Sequence, residues 1–327
     1  MPDAIVSAAP MRLPVAGGGT DLPEFYQRSQ TRVLAVAIDR EVVVSVASDP
    51  EAARAAVPSQ AGWYWVEHAA ESADPYVGAA AACLETAPVV HVVVTSPIAP
   101  GSGLGGSGAY LVALVDALAR HVGRVLPKPE IAEIAFTIER DLLGRTVGKQ
   151  DSWVAAIGGA VQLDIDTKGH VFYHARFDLL HAATRLLKDS QLLLFGLPET
   201  RDAATVLASS GLVNSAIVDT ALRLTDENER AFLGQDIKQI GAVLRRHWDE
   251  KVRRNPAADH PACRRLTACA DSMGVLGFKV VGAGGGGHLL VAVMPGRAQD
   301  LRASMATWGL RHIRVRPVAT GLRRWFR

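Results

Sequence analysis

Thirteen of the chain's 30 glycines fall in three short clusters: Gly17–Gly19, Gly101–Gly108 and Gly282–Gly287. Glycine loses more conformational freedom on folding than any other residue, so glycine concentrated beside apolar runs has a cost that something must offset. Collagen-like or linker glycine is periodic or dispersed. Clustered glycine between strand-like segments instead marks backbone held close to a ligand, where a Cβ would be in the way.

The rest of the composition narrows the class. The chain has 327 residues, enough for about two domains of roughly 150 residues each. Hydrophobic residues make up 49% and charged residues 21%, which excludes a disordered or acidic-tail protein. Net charge is +2, from 35 Lys and Arg against 33 Asp and Glu, and this argues against a dedicated nucleic-acid binder. The basic tail Arg311–Arg327 alternates its charges with Ile313, Val315, Val318 and Trp325 and reads as a half-exposed final strand. Cys83, Cys263 and Cys269 lack metal-ligand spacing, and their odd number points to reduced thiols in a cytoplasm. No basic region precedes an apolar stretch at the amino terminus, so no signal peptide is expected. Ile98–Leu118 is long and nearly uncharged, but its glycines, Pro100 and Asp116 fit a loop running into a buried helix better than a membrane span.

Along the chain, Thr31–Ile38 and Glu41–Ala47 are β-branched runs with a hairpin or sharp bend expected at Asp39–Arg40. Val89–Ser96 is a dense apolar strand entering the second glycine cluster, and Gly105–Arg120 follows helical spacing. Pro129 introduces a helix over Glu130–Leu143, and Gly148–Gly159 is a loop with a short helix. Val161–Ile165 and His170–Phe177 form a strand pair turning at Lys168–Gly169. A second unit begins near Leu192 with a short strand. Helices follow at Arg201–Ser209, Asn214–Arg223, Glu227–Trp248 and Pro261–Met273. The strands Phe278–Val281 and His288–Val293 flank the third cluster, and a helix at Arg297–Thr307 and a strand at Ile313–Val318 complete an α+β pattern. The boundary is set at residues 1–170 and 171–327, two closely packed halves with a cleft between them.

Each cluster supports a specific chemistry beside a plainer alternative. Pro100, Gly101, Ser102, Gly103, Leu104, Gly105, Gly106 and Ser107 lead into a helix start, where free backbone N–H groups and the helix dipole suit a phosphate chain. The alternative is a structural tight turn. The Walker A ending is absent, and G-x-G-x-x-G over Gly101–Gly106 lacks the acidic residue of a dinucleotide fold. Ser107, Glu139 and Asp151 are the residue types that hold Mg²⁺ and meet an attacking oxygen in phosphoryl transfer; alternatively, Glu139 is a solvated helix residue paired with Arg140 or Arg145. Arg12, the glycine turn and Thr20–Asp21 could line a sugar site, or Asp21 could cap the next helix. Gly282–Gly287 requires close backbone approach to a ligand or to the opposing loop.

Together these segments resemble the GHMP small-molecule kinase superfamily, which includes galactokinase, homoserine kinase and mevalonate kinase. Ala9–Asp21, Pro100–Ala109 and Val281–His288 look like its three motifs in order. Arg12, Gly17–Asp21, Gly148-Lys-Gln-Asp151 and Lys279–Gly287, with Trp248 and Lys251, resemble D-glycero-D-manno-heptose 7-phosphate kinases within it. The departures are Gly106 and Gly108 in the phosphate motif, His288 where relatives often carry Phe, and Pro14–Val15 in the first motif.

The resemblance implies a two-domain fold, with a ribosomal protein S5 domain 2-like amino-terminal half and a ferredoxin-like carboxy-terminal half. It implies an ATP-dependent, cytoplasmic sugar kinase using Mg²⁺, active as a monomer or homodimer, with no nucleic-acid or membrane partner. Pro100–Ser107 would wrap the ATP phosphates, and Ser107 with Glu139 would hold the metal. Asp151 would be catalytic, with Arg12 stabilising charge. Gly18, Gly19, Thr20 and Asp21 would line the sugar site, with Gly284, Gly285 and Gly286 closing over it. Arg12, Arg32, Lys149 and Arg201 are the candidates for a distal phosphate. The expected acceptor is the anomeric hydroxyl of a heptose 7-phosphate. The alternatives are another sugar (galactose, fucose, an N-acetylhexosamine or a non-manno heptose phosphate) or a catalytically silent nucleotide sensor.

Overall fold

A computed structural model of the chain describes residues 4–57, 64–68, 74–85, 90–198 and 213–326. Its strands are β1 (Ile5–Ala16), β2 (Thr31–Ala47), β3 (Tyr64–His68), β4 (His91–Ser96), β5 (Ala160–Ile165), β6 (Val171–Ala175), β7 (Leu192–Gly196), β8 (Val275–Val280), β9 (His288–Val293), β10 (Arg311–His312) and β11 (Arg323–Phe326). Its helices are α1 (Pro23–Tyr26), α2 (Pro50–Ala55), α3 (Pro75–Cys83), α4 (Gly106–His121), α5 (Lys128–Thr137), α6 (Gln150–Ile157), α7 (Phe177–Lys188), α8 (Ser215–Leu233), α9 (Ile237–Arg254), α10 (Pro261–Cys269) and α11 (Ala298–Thr307). The elements form two antiparallel sheets. One runs β11–β1–β2–β4–β3, with β5 on the first half of β2 and β6 beyond it; the other runs β10–β7–β9–β8.

The hairpin expected at Asp39–Arg40 is instead the middle of one 17-residue strand, β2. Its first half pairs with β5 and its second half with β4, while β1 runs beside both. The polar pair needs no turn because the chain's last segment satisfies it. Asp39 N–H donates to the Arg316 carbonyl, the Arg316 N–H returns to Asp39 Oδ1 at 2.8 Å, and Arg40 donates to the Arg314 carbonyl. The same interactions account for residues 313–318, expected as a strand. They run as an irregular segment with one bridge, Ile38 to Pro317. The basic tail does end in a strand, β11, which pairs with β1; Arg324 lies 2.9 Å from the buried Asp116 of α4.

α4 is the central helix of the first half. It starts at Gly105, which is left-handed (φ 78°), and buries Leu111, Leu114 and Leu118 completely or nearly so. α5 begins at Lys128–Pro129, as the proline requires, but its last turn widens into a π-helix over Ile138–Leu142. Inserted π turns cluster at functional sites because they re-aim a side chain without ending the helix. Here the re-aimed segment carries Glu139.

In the second half, the break expected between residues 223 and 227 lies at 234–236 instead. Gln235 takes a positive φ, and Asp236 caps α9 through the Lys238 and Gln239 amides. α7 was not anticipated; its amphipathic run follows directly on β6 and buries Leu179, Ala182, Ala183 and Leu186. The helix expected at Arg201–Ser209 lies outside the described residues.

α9 rests on β8 through two glycines. A Cβ on Gly277 would overlap the Gly241 carbonyl, and one on Gly241 would come within 2.6 Å of Leu276 Cβ. This contact sets how closely the cationic face of α9 approaches β8. Overpacking typically costs about 1–3 kcal/mol. Gly277→Ala should therefore lower the thermal unfolding temperature by several degrees, measured by circular dichroism.

Candidate active site

A cavity of about 760 Å³ is bounded by β1, the 100–107 loop, Glu139 and the 146–151 segment on one side and by α8, α9, β8 and Gly282 on the other. At its floor, Arg12 Nε and Nη2 lie 2.8 and 2.7 Å from the same oxygen of Asp151, Oδ1. Arg12 Nη1 donates to the Gly103 carbonyl at 2.5 Å, and its own amide donates to the Leu104 carbonyl at 2.9 Å. Arg12 is buried, while the Asp151 side chain keeps 27% of its surface exposed. Both arginine contacts converge on Oδ1, which leaves Oδ2 available to a hydroxyl. A charge-assisted pair of this kind fixes a carboxylate in direction as well as position.

The two sequence motifs meet because there is no side chain between them. A Cβ on Gly108 would sit 2.7 Å from Asp151 Cβ, and one on Gly105 would sit 3.2 Å from both Arg12 and Asp151. This gives the Gly108 departure a packing reason: α4 and α6 cross too closely there for a Cβ.

Asp21 does not cap α1, whose N-cap is Leu22. It is buried and accepts from the Gly19 amide at 3.1 Å, the Gln150 amide at 2.9 Å and Gln150 Nε2 at 3.2 Å. Burial raises its pKa, the Gln150 amide opposes that rise, and the nearby Asp151 adds to it. Thr20 Oγ1 donates to the Gly17 carbonyl at 2.8 Å. Gly18, Gly19, Thr20 and Asp21 all line the cavity.

Of the 100–107 loop, Pro100, Gly101, Ser102, Gly103, Gly105, Gly106 and Ser107 line the cavity; Leu104 points into the core. Glu139 is buried and also reaches the lining, so the solvated-helix alternative does not hold. The apolar end of the cavity carries Tyr76 and Tyr110, packed edge to face at 5.6 Å, with Arg145 over the Tyr76 ring.

The third glycine cluster is divided. Gly282 and Ala283 line the cavity, whereas Gly284, Gly285 and Gly286 are buried away from it. The Gly285 amide donates to the Ala258 carbonyl at 2.6 Å, which draws this part of the turn under residues 256–258. A Cβ on Gly282 would come within 2.8 Å of Gly103 Cα, so the cluster serves the opposing loop. His288 explains its own departure: Nδ1 lies 2.8 Å from the Ser102 carbonyl and ties β9 to that loop.

The expected distal-phosphate cations are engaged elsewhere. Lys149 is buried, pairs with Glu133 at 2.5 Å and lies over the Phe136 ring. Arg32 pairs with Asp164 at 3.0 Å and faces Asp226 and Glu229 at 3.6 Å. Arg201 lies outside the described residues. In their place the cavity wall carries His247, Lys251, Arg254 and Lys279. Their signal in the sequence is the i, i+4, i+7 spacing on α9. Burial first, then Lys279, Arg254 and Arg12, push the Lys251 ammonium down to about 7; burial and Arg12 push Lys279 down to about 8.

Residues 74–159 match the family described as the GHMP kinases N terminal domain. The chain carries a GHMP kinase amino-terminal domain over these residues. It is an enzyme whose homologues in this family are ATP-dependent kinases, and the 100–107 loop lies inside the matched region. It is 27% identical over 269 residues to a mevalonate kinase of Methanothermobacter thermautotrophicus, covering 82% of this chain and 85% of that protein. It is 26% identical over 215 residues to the D-glycero-alpha-D-manno-heptose 7-phosphate kinase of Campylobacter jejuni, covering 63% of this chain and 62% of that protein. Its fold matches a D-glycero-D-manno-heptose 1-phosphate kinase from Bacteroides thetaiotaomicron with a TM-score of 0.71, at 18% identity over 98% of each chain. Among the described residues, no helix is long and apolar enough to cross a membrane.

The lysines give this kinase a pH-dependent stability. Both return to about 10.5 when the chain unfolds, so the unfolded state binds more protons between about pH 7 and 10.5. Stability of the empty protein should therefore rise with pH across that window. Urea unfolding at pH 7, 8 and 9 should show a shallower rise for Lys251→Met than for the parent protein.

Proposed function

We propose that the chain transfers the γ-phosphoryl group of ATP to the anomeric hydroxyl of a heptose 7-phosphate. The product is a heptose 1,7-bisphosphate that feeds nucleotide-activated heptose synthesis. The observation that carries this reading is the Arg12–Asp151 pair at the meeting point of the phosphate loop and the Gly148–Asp151 segment.

The bond formed joins the anomeric oxygen to γ-phosphorus; the bond broken joins that phosphorus to the bridging oxygen of ADP, which leaves. Such transfer depends mainly on alignment and charge neutralisation. Oδ2 of Asp151 orients the hydroxyl and takes its proton as the new bond forms. Arg12 offsets the charge gathering at the reacting centre.

The 101–107 backbone and the start of α4 wrap the triphosphate, and Tyr76 and Tyr110 bound the apolar end where a base would lie. Ser107 and Glu139 fit Mg²⁺, which prefers oxygen ligands and takes the remainder from phosphate and water. When bound, the ion supplies further charge neutralisation. The cavity volume of about 760 Å³ accommodates a nucleotide and a small phosphorylated acceptor together.

An ADP-release screen over heptose 7-phosphates, free sugars and mevalonate tests the reading, with ³¹P NMR of the product. Mevalonate belongs in the panel because the Methanothermobacter relative covers more of this chain than the Campylobacter heptose kinase does. The expected result is turnover on a heptose 7-phosphate with an anomeric phosphate signal; turnover confined to mevalonate overturns the acceptor. Asp151→Asn should lower kcat by about three orders of magnitude or more while leaving ATP affinity within a few-fold, because it removes only the group that meets the hydroxyl. Near-parental turnover in that variant would remove Asp151 from the chemistry.

A further inference from the structure

Three cations and a histidine on one wall of the cavity have no role in the transfer step as derived; burial and the neighbouring Lys279, Lys251 and Arg254 hold the His247 imidazole well below its ordinary pKa, so it is neutral. His247, Lys251 and Arg254 share a face of α9, and Lys279 projects from β8, which is held close to α9 by the Gly241–Gly277 contact. All four line the cavity. Among the described residues, no carboxylate forms an ion pair with any of them; the acidic influence on the group is Glu250, which acts on Arg254. Lys251 Nζ donates to the Gly282 carbonyl, and the Arg254 guanidinium lies 5.6 Å over the Phe25 ring. Neither contact neutralises charge. His247 Nδ1 is buried and has no hydrogen-bond partner among the described residues.

We propose that His247, Lys251, Arg254 and Lys279 form the subsite for the acceptor's non-reacting anionic group, which is the distal phosphate of the heptose. The inference rests on the proposed function. Converging cations without counter-charges repel one another and lose hydration, a cost that persists until an anion fills the space. Burial first, and nearby cations second, lower the pKa values of Lys251 and Lys279, as this cost requires. The triphosphate already has its own cradle in the 101–107 backbone, the start of α4, Ser107 and Glu139. Residues 247–254 span about 10 Å along the helix. Asp151 lines the same cavity from its other side, so an acceptor can meet both.

The test compares Lys251→Met, Lys279→Met and Arg254→Gln with the parent enzyme. It uses steady-state kinetics and calorimetric titration with ATP and with the sugar phosphate. Each variant should raise KM for the phosphorylated acceptor by about tenfold or more, and ATP affinity should stay within about twofold. The preference for phosphorylated over free sugar should shrink in parallel. Lys251→Arg should recover most of the affinity, a rescue that a purely structural lysine would not show. Thermal melts at pH 7 provide the folding control: losing a repelled cation should leave the empty protein as stable as the parent or more so.

Loss of ATP affinity, or an unchanged KM for the acceptor in correctly folded variants, overturns the subsite. The acceptor can fail separately. If the parent enzyme turns over only mevalonate, and the variants raise that KM while sparing ATP, the anion subsite stands with a carboxylate as its ligand and the heptose reading falls.

Discussion

Two stretches of bare backbone touch one another in this protein, one leading into α4 and the other joining β8 to β9, and the geometry of the site follows from that contact. Gly103 packs on Val281 and Gly282, Gly287 packs on the Ser102 carbonyl, and His288 meets the same carbonyl through its ring. Any side chain at Gly103 or Gly282 would separate the segments, and with them the two sheets' contributions to the cavity. The carbonyls at the junction are also used: Gly103 accepts from Arg12, and Gly282 accepts from Lys251. One backbone contact thus registers the residue that pairs with Asp151 against the helix that carries the cationic wall.

The charges around the cavity are sorted by this arrangement. Asp21, Glu139 and Asp151 come from the first half of the chain, which also supplies the 100–107 loop. His247, Lys251, Arg254 and Lys279 come from the second half. Arg12, Arg28 and Arg145 line the cavity on the acidic side and Glu250 on the other, so the sorting is not complete, but Arg12 is committed to Asp151. The proposed transfer of a phosphoryl group between two anionic partners would use carboxylates for metal and proton handling and cations for acceptor charge. Separating the two sets keeps them from neutralising each other before the ligands arrive. The cost falls on the empty protein, as depressed lysine pKa values.

Sequence patterning identified the parts of the site whose chemistry lies in the backbone. The first two glycine clusters, the strand–loop–helix unit around Pro100–Arg120 and the Gly148–Asp151 segment contribute to the cavity lining, and glycine content and helical spacing, which mark them, are local signals; of the third cluster only Gly282 and Ala283 contribute, and Gly284–Gly286, expected to close over the site, do not. Groups whose roles depend on long-range partners were not legible. Lys149 and Arg32 look like free cations in sequence, but Glu133 and Asp164 engage them from 16 and 132 residues away. Asp39–Arg40 looks like a turn because nothing nearby reveals that residues 314–316 satisfy it. The 247/251/254 triplet was visible as spacing on a helix, but an amphipathic helix normally presents such a face to water. Only the contact with β8 turns it inward.

Asp21 illustrates how tertiary context reassigns a residue. Beside a short helix a carboxylate reads as a cap, and caps satisfy free amides locally. Asp21 satisfies amides too, but one of them, Gln150 N–H, lies 129 residues away and immediately precedes Asp151. Gly148 makes room for this, since a Cβ there would overlap the Asp21 carboxylate. Asp21 therefore positions Asp151 through the backbone, while Arg12 positions it through the side chain. With its main chain and its Oδ1 both fixed from β1 and the turn that follows it, Asp151 has little orientational freedom left to lose when an acceptor hydroxyl arrives, which is the form preorganisation takes in this site.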